Sequence, residues 1–256
     1  MARSEFFKKL RLGAIGALAL WIASTAASAV EVKKVNGVVE LFTSQGCSSC
    51  PPADRILSDL AAKGETLALA WHVDYWDYLG WKDTFASRAN TQRQRGYARS
   101  LHESQIYTPQ AVINGRTHVV GSNRAAIDAA IARLAGNGEG LAIPIEATVD
   151  GDALKVHVAA DGQAGDASLW MVYFNDKAVV DVARGENAGH KLTYSNIVRS
   201  VELIGMVKNT DLRTEFRIAD LSRRGQDSCA LILQQSGPDG SPGPIIGAAL
   251  IRALTN

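Results

Sequence analysis

The stretch that decides the fold is GVVELFTSQGCSSCPPADRILSDLAAK, residues 37–63. It opens with an apolar, β-branched run, GVVELFT, which predicts a strand. It closes with PADRILSDLAAK, residues 52–63, in which apolar side chains recur at the helical period. Between them lies a CxxC motif formed by Cys47 and Cys50, so the sequence places two thiols in the turn from a strand to a helix. This spacing alone is shared by thiol-exchange sites, zinc sites and small structural disulfides.

The segments that follow continue the alternation of strands and helices. LALAWHVD, residues 67–74, predicts a second strand, and a long helix is predicted over 82–101. TPQAVING and RTHVVGS then form two strands, and Asn114-Gly115 between them is a strong hairpin-turn signal. A last helix is predicted over 124–134. This order is that of a thioredoxin fold, in which the first two strands are parallel neighbours.

A glycine-rich stretch, GNGEG at 136–140, marks the predicted boundary between two halves. We expect residues 30–137 to form an α/β thioredoxin-like domain that contains the CxxC motif. Residues 141–256 read as successive strands and predict a β-rich, sandwich-like C-terminal domain. Within it, ARGENAGHKLTYSN at 183–196 predicts a polar connection. Three residues in or near this segment could line a site: Glu186, His190 and Arg199. A polar turn explains Glu186 and His190 equally well, and both interpretations stay open.

The first 29 residues have the organisation of a signal peptide. Arg3, Lys8, Lys9 and Arg11 give a basic start, an apolar run follows, and Ala27-Ser28-Ala29 offers a small-x-small cleavage pattern. The apolar run is shorter than the ~20 residues that cross a bilayer. We therefore predict cleavage after Ala29 and a periplasmic or secreted protein, a location that permits disulfides.

The charge balance excludes some classes of partner. The leader holds four of the 27 basic and one of the 26 acidic residues, which leaves 23 and 25 and a formal charge of −2. The densest basic stretch, residues 88–99, reads as the solvated face of a helix rather than a phosphate-binding patch. We predict no nucleic-acid partner and, once the leader is removed, no membrane partner; a protein or small thiol or disulfide is the expected substrate.

The position of the motif assigns different roles to the two cysteines. Cys47 precedes the predicted helix, where free N–H groups and the helix dipole lower the pKa of a thiol, so it is the predicted nucleophile. Cys50 lies one turn into the helix and is the predicted resolving thiol. Pro51 and Pro52 fit the first helical positions, whose N–H groups have no partner in any case. Ser48 and Ser49 add donors but no positive charge, which favours a less oxidising pair.

Four further residues are predicted to complete a site with Cys47 and Cys50. Thr108-Pro109 precedes an antiparallel strand and arrives at the sheet edge that carries the cysteines, where a cis X-Pro bond would free the backbone beside the thiols for a substrate. His72 and Asp74, with Thr108, are possible tuning residues, because an imidazole or carboxylate at this edge could move the proton that Cys50 must lose. The alternative is that His72 is a hydrogen-bonded residue at a strand end.

A metal site is another use of the same residues. Two thiolates and His72 would suit Cu(I), or Zn(II) with one more ligand. Because the sequence has no second CxxC, HxxxH or Met-rich stretch, we predict neither a metal nor a cofactor. Cys229 alternates with apolar residues in DSCALILQQ and is predicted to be a small buried hydrophobe.

Four motifs in order resemble a family of exported thioredoxin-like proteins known as domain of unknown function 1223. They are VVELFTSQGCSSCPPAD, HVDYWDYLGWKD, YTPQAVINGR and GENAGHKLTYSNIVR, and the match runs from about residue 37 to the end. The resemblance implies a thioredoxin fold with an additional β-rich part. Against the wider thioredoxin family, Cys47, Cys50 and Pro109 fall on motif positions, but Gly46 replaces the usual tryptophan.

The leading hypothesis is an exported thiol-disulfide oxidoreductase that uses the Cys47/Cys50 dithiol, with Pro109 shaping the substrate groove. One alternative is a periplasmic metal (copper) or peptide-binding protein whose β-rich half supplies the partner surface. The other is a non-catalytic interaction protein in which the disulfide is structural. The sequence leaves the redox potential and the oligomeric state open.

Overall fold

The protein, described from a computed structural model, is a mixed α/β structure dominated by one large sheet. The structure describes residues 29–160, 164–208, 210–222 and 225–254, so all but Ala29 of the predicted leader lies outside the described residues. The helices are α1 (Pro51–Lys63), α2 (Arg88–Ser100), α3 (Arg124–Gly136) and α4 (Ile218–Ser222), with 3-10 turns at Asp77–Leu79 and Pro238–Gly240. The strands are β1 (Ala29–Lys34), β2 (Val38–Thr43), β3 (Leu67–His72), β4 (Gln110–Ile113), β5 (Thr117–Val120), β6 (Glu146–Asp150), β7 (Ala153–Val158), β8 (Ala167–Asp181), β9 (Lys191–Val207), β10 (Leu212–Arg217), β11 (Ser228–Ser236) and β12 (Pro242–Leu254).

Nine strands form one sheet in the order β1-β12-β11-β8-β9-β3-β2-β4-β5. Strands β2 and β3 are parallel, as predicted, and Thr43 is in register with His72, so both strands end at the same edge. Every residue of β2 and β3 is buried. Helices α1 and α3 cover one face of this part of the sheet, and α2 together with other parts of the chain covers the opposite face. On the first face, α1 and α3 pack on alternate residues of the strands, among them Val39, Leu41, Ala68 and Ala70.

The remaining strands, β10, β7 and β6, form a separate three-stranded sheet. Its buried side chains, among them Leu154, Val156 and Val158, share one apolar cluster with residues of β8, β11 and β12 such as Leu169, Leu231 and Ile251. Cys229 lies in this cluster as a free, buried thiol, as predicted, and burial raises its pKa to about 12. Within the described residues, no helix combines the length and apolar character needed to cross a bilayer.

The large sheet contains strands from both sides of the glycine-rich stretch 136–140. The junction is a parallel pairing of β3 with β9 at Ala70 and Ile197. Asn196 next to it has φ 49° and donates from Nδ2 to the carbonyl of Ala68 at 2.8 Å. Residues 177–181 and 191–195 continue the β8–β9 hairpin beyond this point as an arm, and Ser195 Oγ donates to Ser58 Oγ of α1 at 3.0 Å. The arm therefore lies against the part of the molecule that carries the CxxC motif.

The predicted start of α2 and the predicted start of β9 are wrong, and the predicted turn between β4 and β5 is confirmed. The helix predicted over 82–101 begins only at Arg88, because Ser87 caps it and the Asp83 carboxylate holds the preceding backbone, accepting from the N–H of Phe85 at 2.8 Å. Residues 191–195, predicted as polar connection, belong to β9. The β4–β5 hairpin turns at Asn114 and Gly115, with φ 48° and 62°, as their sequence indicates.

Candidate active site: the Cys47–Cys50 turn

The two cysteines lie between the end of β2 and the start of α1 and form a disulfide with a Cα–Cα distance of 5.4 Å. Cys50 is the N-cap residue of α1 rather than a residue inside the helix, and Pro51 and Pro52 occupy the first helical positions, as predicted. Both cysteines are buried: Cys47 is 1% exposed and Cys50 is 0% exposed. A thiol or disulfide substrate therefore reaches Cys47 only when the groups that cover it move.

The expected cluster of free N–H donors at the helix N-terminus is not present among the described residues. The two prolines have no N–H, and the N–H groups of Ala53 and Asp54 both donate to the Cys50 carbonyl, at 2.8 and 3.1 Å. The N–H of Ser48 is also taken, because it donates to Glu186 Oε2 at 3.1 Å. The hydroxyl of Ser49, 3.4 Å from Cys47 Sγ, is the donor that contacts the sulfur. These contacts therefore give no support to a lowering of the Cys47 pKa by free helix-terminal amides.

A loop between β8 and β9, residues 183–190, covers the cysteine turn and is called the clasp loop below. Asn187 is its buried anchor, and its Nδ2 donates to the carbonyls of Gln45 and Cys47 at 2.9 and 3.0 Å. Of the residues left open in this segment, Glu186 contacts the cysteine turn, whereas His190 Nδ1 lies 3.2 Å from the Asn187 carbonyl in its own turn. Arg199 packs 5.3 Å from the centroid of the Phe85 ring.

Replacing Asn187 by alanine is expected to open the clasp loop. The substitution removes two hydrogen bonds, each worth about 1 kcal/mol, so dithiothreitol should reduce the Cys47–Cys50 disulfide about 10- to 30-fold faster. The reaction is followed by alkylation and mass spectrometry. Asn175→Ala serves as control, because the half-buried Asn175 of β8 also donates two hydrogen bonds, but to residues 225 and 227 rather than to the cysteine turn. An unchanged rate in Asn187→Ala would show that the clasp loop does not limit access.

Pro109 lies at the end of β2, the strand that leads into the cysteine turn. The Thr108–Pro109 peptide bond is cis, and because Phe42 pairs with Gln110, Pro109 falls next to Thr43 at the end of β2. Thr108 Oγ1 accepts from Trp76 Nε1 at 2.8 Å. The Cβ of Trp76 is 3.1 Å from where a Cβ on Gly46 would lie, so a larger residue before Cys47 would press against Trp76.

His72 and Asp74, two of the three predicted tuning residues, differ in the groups that they bond. His72 Nδ1 donates to Asp83 Oδ2 at 2.7 Å with both side chains fully buried, and the same oxygen accepts from the N–H of Gln45 at 2.8 Å. Burial opposes ionisation of Asp83, but the charge and hydrogen bond of His72 outweigh it and lower the pKa of Asp83. Asp74 instead accepts from Thr91 Oγ1 of α2 at 2.6 Å. His72 thus supports the cysteine turn through Asp83, and Asp74 anchors a helix.

Asp54, which sequence reasoning missed, is a buried acid one turn after Cys50. Its Oδ1 accepts from Thr43 Oγ1 at 2.8 Å, and burial raises its pKa to about 7 against the opposing effects of His72 and Thr43. Asp54 Oδ2, His72 Nε2 and Tyr194 OH are buried and, within the described residues, have no hydrogen-bond partner. The rings of Tyr194 and His72 have centroids 4.6 Å apart. These groups form a polar centre under the cysteine turn that is able to hold a proton on Asp54 near neutral pH.

The proposed metal ligands are engaged in other bonds. Cys47 and Cys50 share the disulfide, and His72 Nδ1 is bonded to Asp83. In the part of the chain that the structure describes, no group of three or more His, Cys, Asp or Glu residues is arranged to hold a metal ion. The geometry at this site therefore gives the metal alternative no support.

Comparison with known proteins adds a family and a fold. A family model described as Protein of unknown function (DUF1223) matches residues 38–234. Protein AGR_C_4864 from Agrobacterium tumefaciens, a crystal structure, is 37% identical with a TM-score of 0.78, covering 88% of this chain and 97% of that chain. HBP35 of Porphyromonas gingivalis is 14% identical with a TM-score of 0.56, covering 86% of this chain and 76% of that one, a likeness of fold alone. No curated protein matches the sequence.

Proposed function

The chain belongs to the DUF1223 family of proteins of unknown function, and we propose that in this member Cys47 and Cys50 exchange thiols and disulfides with a substrate. The observation that carries the proposal is the position of the Cys47–Cys50 disulfide in the fold. It closes the turn from β2 to α1 at the edge where the parallel strands β2 and β3 both end. In open α/β sheets this edge is where ligands bind.

The fold proposal is a thioredoxin-like unit built from β2, α1, β3, α2, β4, β5 and α3. Its support is the order of these elements, the parallel β2–β3 pair and the position of Pro109 next to Thr43. The remaining strands extend the sheet and add the three-stranded layer. We further propose that residues 1–29 direct export to the periplasm or outside the cell, where the pair can oxidise.

The proposed exchange uses only groups of the site and a thiol substrate. A substrate thiolate attacks Cys47 Sγ, a sulfur–sulfur bond forms to the substrate, and the Cys47–Cys50 bond breaks with its electron pair on Cys50. Asp54, four residues after Cys50 and with a pKa of about 7, is the proposed proton source for the Cys50 thiolate. A second substrate thiolate then displaces Cys47 and releases the substrate disulfide. Two thiols are oxidised and the protein disulfide is reduced; the reverse sequence reduces a substrate disulfide.

Cys47→Ser is expected to reduce dithiol turnover to the background rate, because no mixed disulfide can form at the attacking position. Turnover is measured as reduction of a disulfide-linked fluorescent peptide with dithiothreitol as electron donor. Cys229→Ala is the matched control, since it removes a thiol that lies in a separate apolar cluster, and it should keep the wild-type rate. Full activity in Cys47→Ser would overturn the proposal.

The burial of both cysteines favours a second candidate, a structural disulfide in an interaction protein. The two functions differ in the reduction potential of the pair. A potential well below about −300 mV indicates a structural disulfide, and one between about −120 and −270 mV indicates a working redox pair. Equilibration of the purified protein with glutathione or dithiothreitol buffers, followed by thiol trapping, measures it.

A further inference from the structure

Two carboxylates accept hydrogen bonds from backbone N–H groups on either side of Cys47. Asp83 Oδ2 accepts from Gln45 at 2.8 Å, and Glu186 Oε2 accepts from Ser48 at 3.1 Å. Asp83 is buried, whereas Glu186 is exposed to solvent. The Ser48 N–H belongs to the peptide group that directly follows Cys47. The exposed Glu186 carboxylate is thus held against the backbone that directly follows the reactive cysteine.

The position of Glu186 is fixed by its neighbours in the clasp loop. Asn187 is buried and bonded to the carbonyls of Gln45 and Cys47. Gly185 has φ 81° and approaches Trp81 so closely that a Cβ on the glycine would lie 3.2 Å from the Trp81 Cβ. Hydrogen bonds from Ser48 also lower the pKa of Glu186, which keeps its negative charge at neutral pH. The negatively charged Glu186 carboxylate is therefore held in a defined position beside the cysteine turn.

We propose that Glu186 is a specificity-determining residue that makes the Cys47–Cys50 pair exchange faster with cationic and neutral thiols than with anionic thiols. This inference rests on the proposed thiol exchange. A thiolate that attacks Cys47 must bring any second charge on its carrier close to the Glu186 carboxylate. Because the Glu186 carboxylate is exposed, a unit charge about 4–8 Å from it changes the rate by about two- to fivefold. The substrate class indicated is a thiol or disulfide in a positively charged or neutral setting.

The test compares cysteamine, which carries an ammonium group, with glutathione, which carries two carboxylates and one ammonium. The rate constant for reduction of the protein disulfide is measured for each, per thiolate, at low salt. Glu186→Gln keeps an oxygen that can accept from Ser48 and removes only the charge. We expect the cysteamine-to-glutathione ratio to fall about tenfold in this variant, to invert in Glu186→Lys, and to shrink in the wild type at 1 M salt, where the Debye length is about 3 Å.

Asp181→Asn is the matched control, because Asp181 is an exposed carboxylate of the same hairpin that pairs with Lys191 at 3.6 Å. Its ratio should equal that of the wild type. If exchange proceeds and Glu186→Gln leaves the ratio unchanged, the inference is overturned while the proposed function stands. If the wild-type disulfide exchanges with neither thiol, nor with neutral 2-mercaptoethanol, the proposed function fails and the inference with it.

Discussion

Replacing Arg93 by alanine is expected to destabilise the protein by about 3–5 kcal/mol, the usual result of leaving a buried charge without its partner. Glu40 in the middle of β2 is fully buried, and its Oε1 accepts from Arg93 Nε at 2.7 Å. Its second oxygen accepts from Arg93 Nη2 at 3.0 Å and from the hydroxyl of Tyr97. Arg93 also donates to Gln234 Oε1 of β11 at 3.0 Å. One guanidinium thus neutralises a carboxylate inside the sheet and joins α2 to two strands far apart in sequence.

Equilibrium urea unfolding measures this effect as a change in the midpoint at a constant slope. Arg95→Ala is the control: Arg95 is exposed on the same helix, and surface substitutions usually change stability by about 0.5 kcal/mol or less. The double variant Arg93→Met with Glu40→Gln should recover part of the loss, because it removes both charges. If Arg93→Ala and Arg95→Ala unfold at the same urea concentration, the Glu40 carboxylate does not depend on Arg93.

The second large effect is a change in the pH dependence of stability in Asp54→Asn. Asp54 has a pKa of about 7 in the folded protein against 3.8 as the ordinary value. Below pH 3.8 both states hold the proton, and stability does not change. As the pH rises towards 7, the unfolded chain releases a proton that the folded protein retains, so the wild type loses stability, by about 4 kcal/mol in total from this one group. Asparagine has no proton to release and removes this loss.

The free energy of unfolding of Asp54→Asn relative to the wild type should therefore increase between about pH 4 and pH 7 and level off above that. Asparagine keeps an oxygen that accepts from Thr43, so the variant retains the hydrogen bond seen at 2.8 Å. Asp59→Asn removes an exposed carboxyl of the same helix and controls for the change in net charge. Parallel stability curves for the wild type and Asp54→Asn over this pH range would contradict a buried, protonated Asp54.

The local parts of the fold could be predicted from the sequence, because their signals lie within a few residues. The apolar run before Cys47, the helical period after Cys50 and the Asn114-Gly115 turn all gave elements close to those observed. The start of α2 could not be predicted from periodicity, since the side chain of Asp83 holds the residues before it outside the helix. The β3–β9 pairing also has no local signal, so the glycine-rich stretch 136–140 suggested a boundary that the sheet crosses.

The candidate site was predictable only where a motif marks it. Cys47, Cys50 and Pro109 could be found by spacing and by strand order. Asn187 could not, because its two bonds to the cysteine turn span about 140 residues of sequence and a lone asparagine in a polar loop carries no signal. Asp54 was missed because an acid in an amphipathic helix is usually exposed. Here Asp54 follows the buried Ala53 and accepts a hydrogen bond from Thr43, so its carboxyl group lies buried under the cysteine turn.

Strand β12 determines when this protein can finish folding. It lies between β1 and β11, pairing Val30 with Ala253 on one side and Leu231 with Ala249 on the other. During synthesis the chain emerges from its amino end, so among the described strands β1 has no hydrogen-bonded neighbour and β11 has an open edge until β12 is available. Unpaired edges invite association between chains. Truncation or a bulky fusion at the carboxyl terminus should therefore lower the yield of folded protein, whereas fusions at the exposed Asp150–Gly151 turn leave both edges of β12 intact.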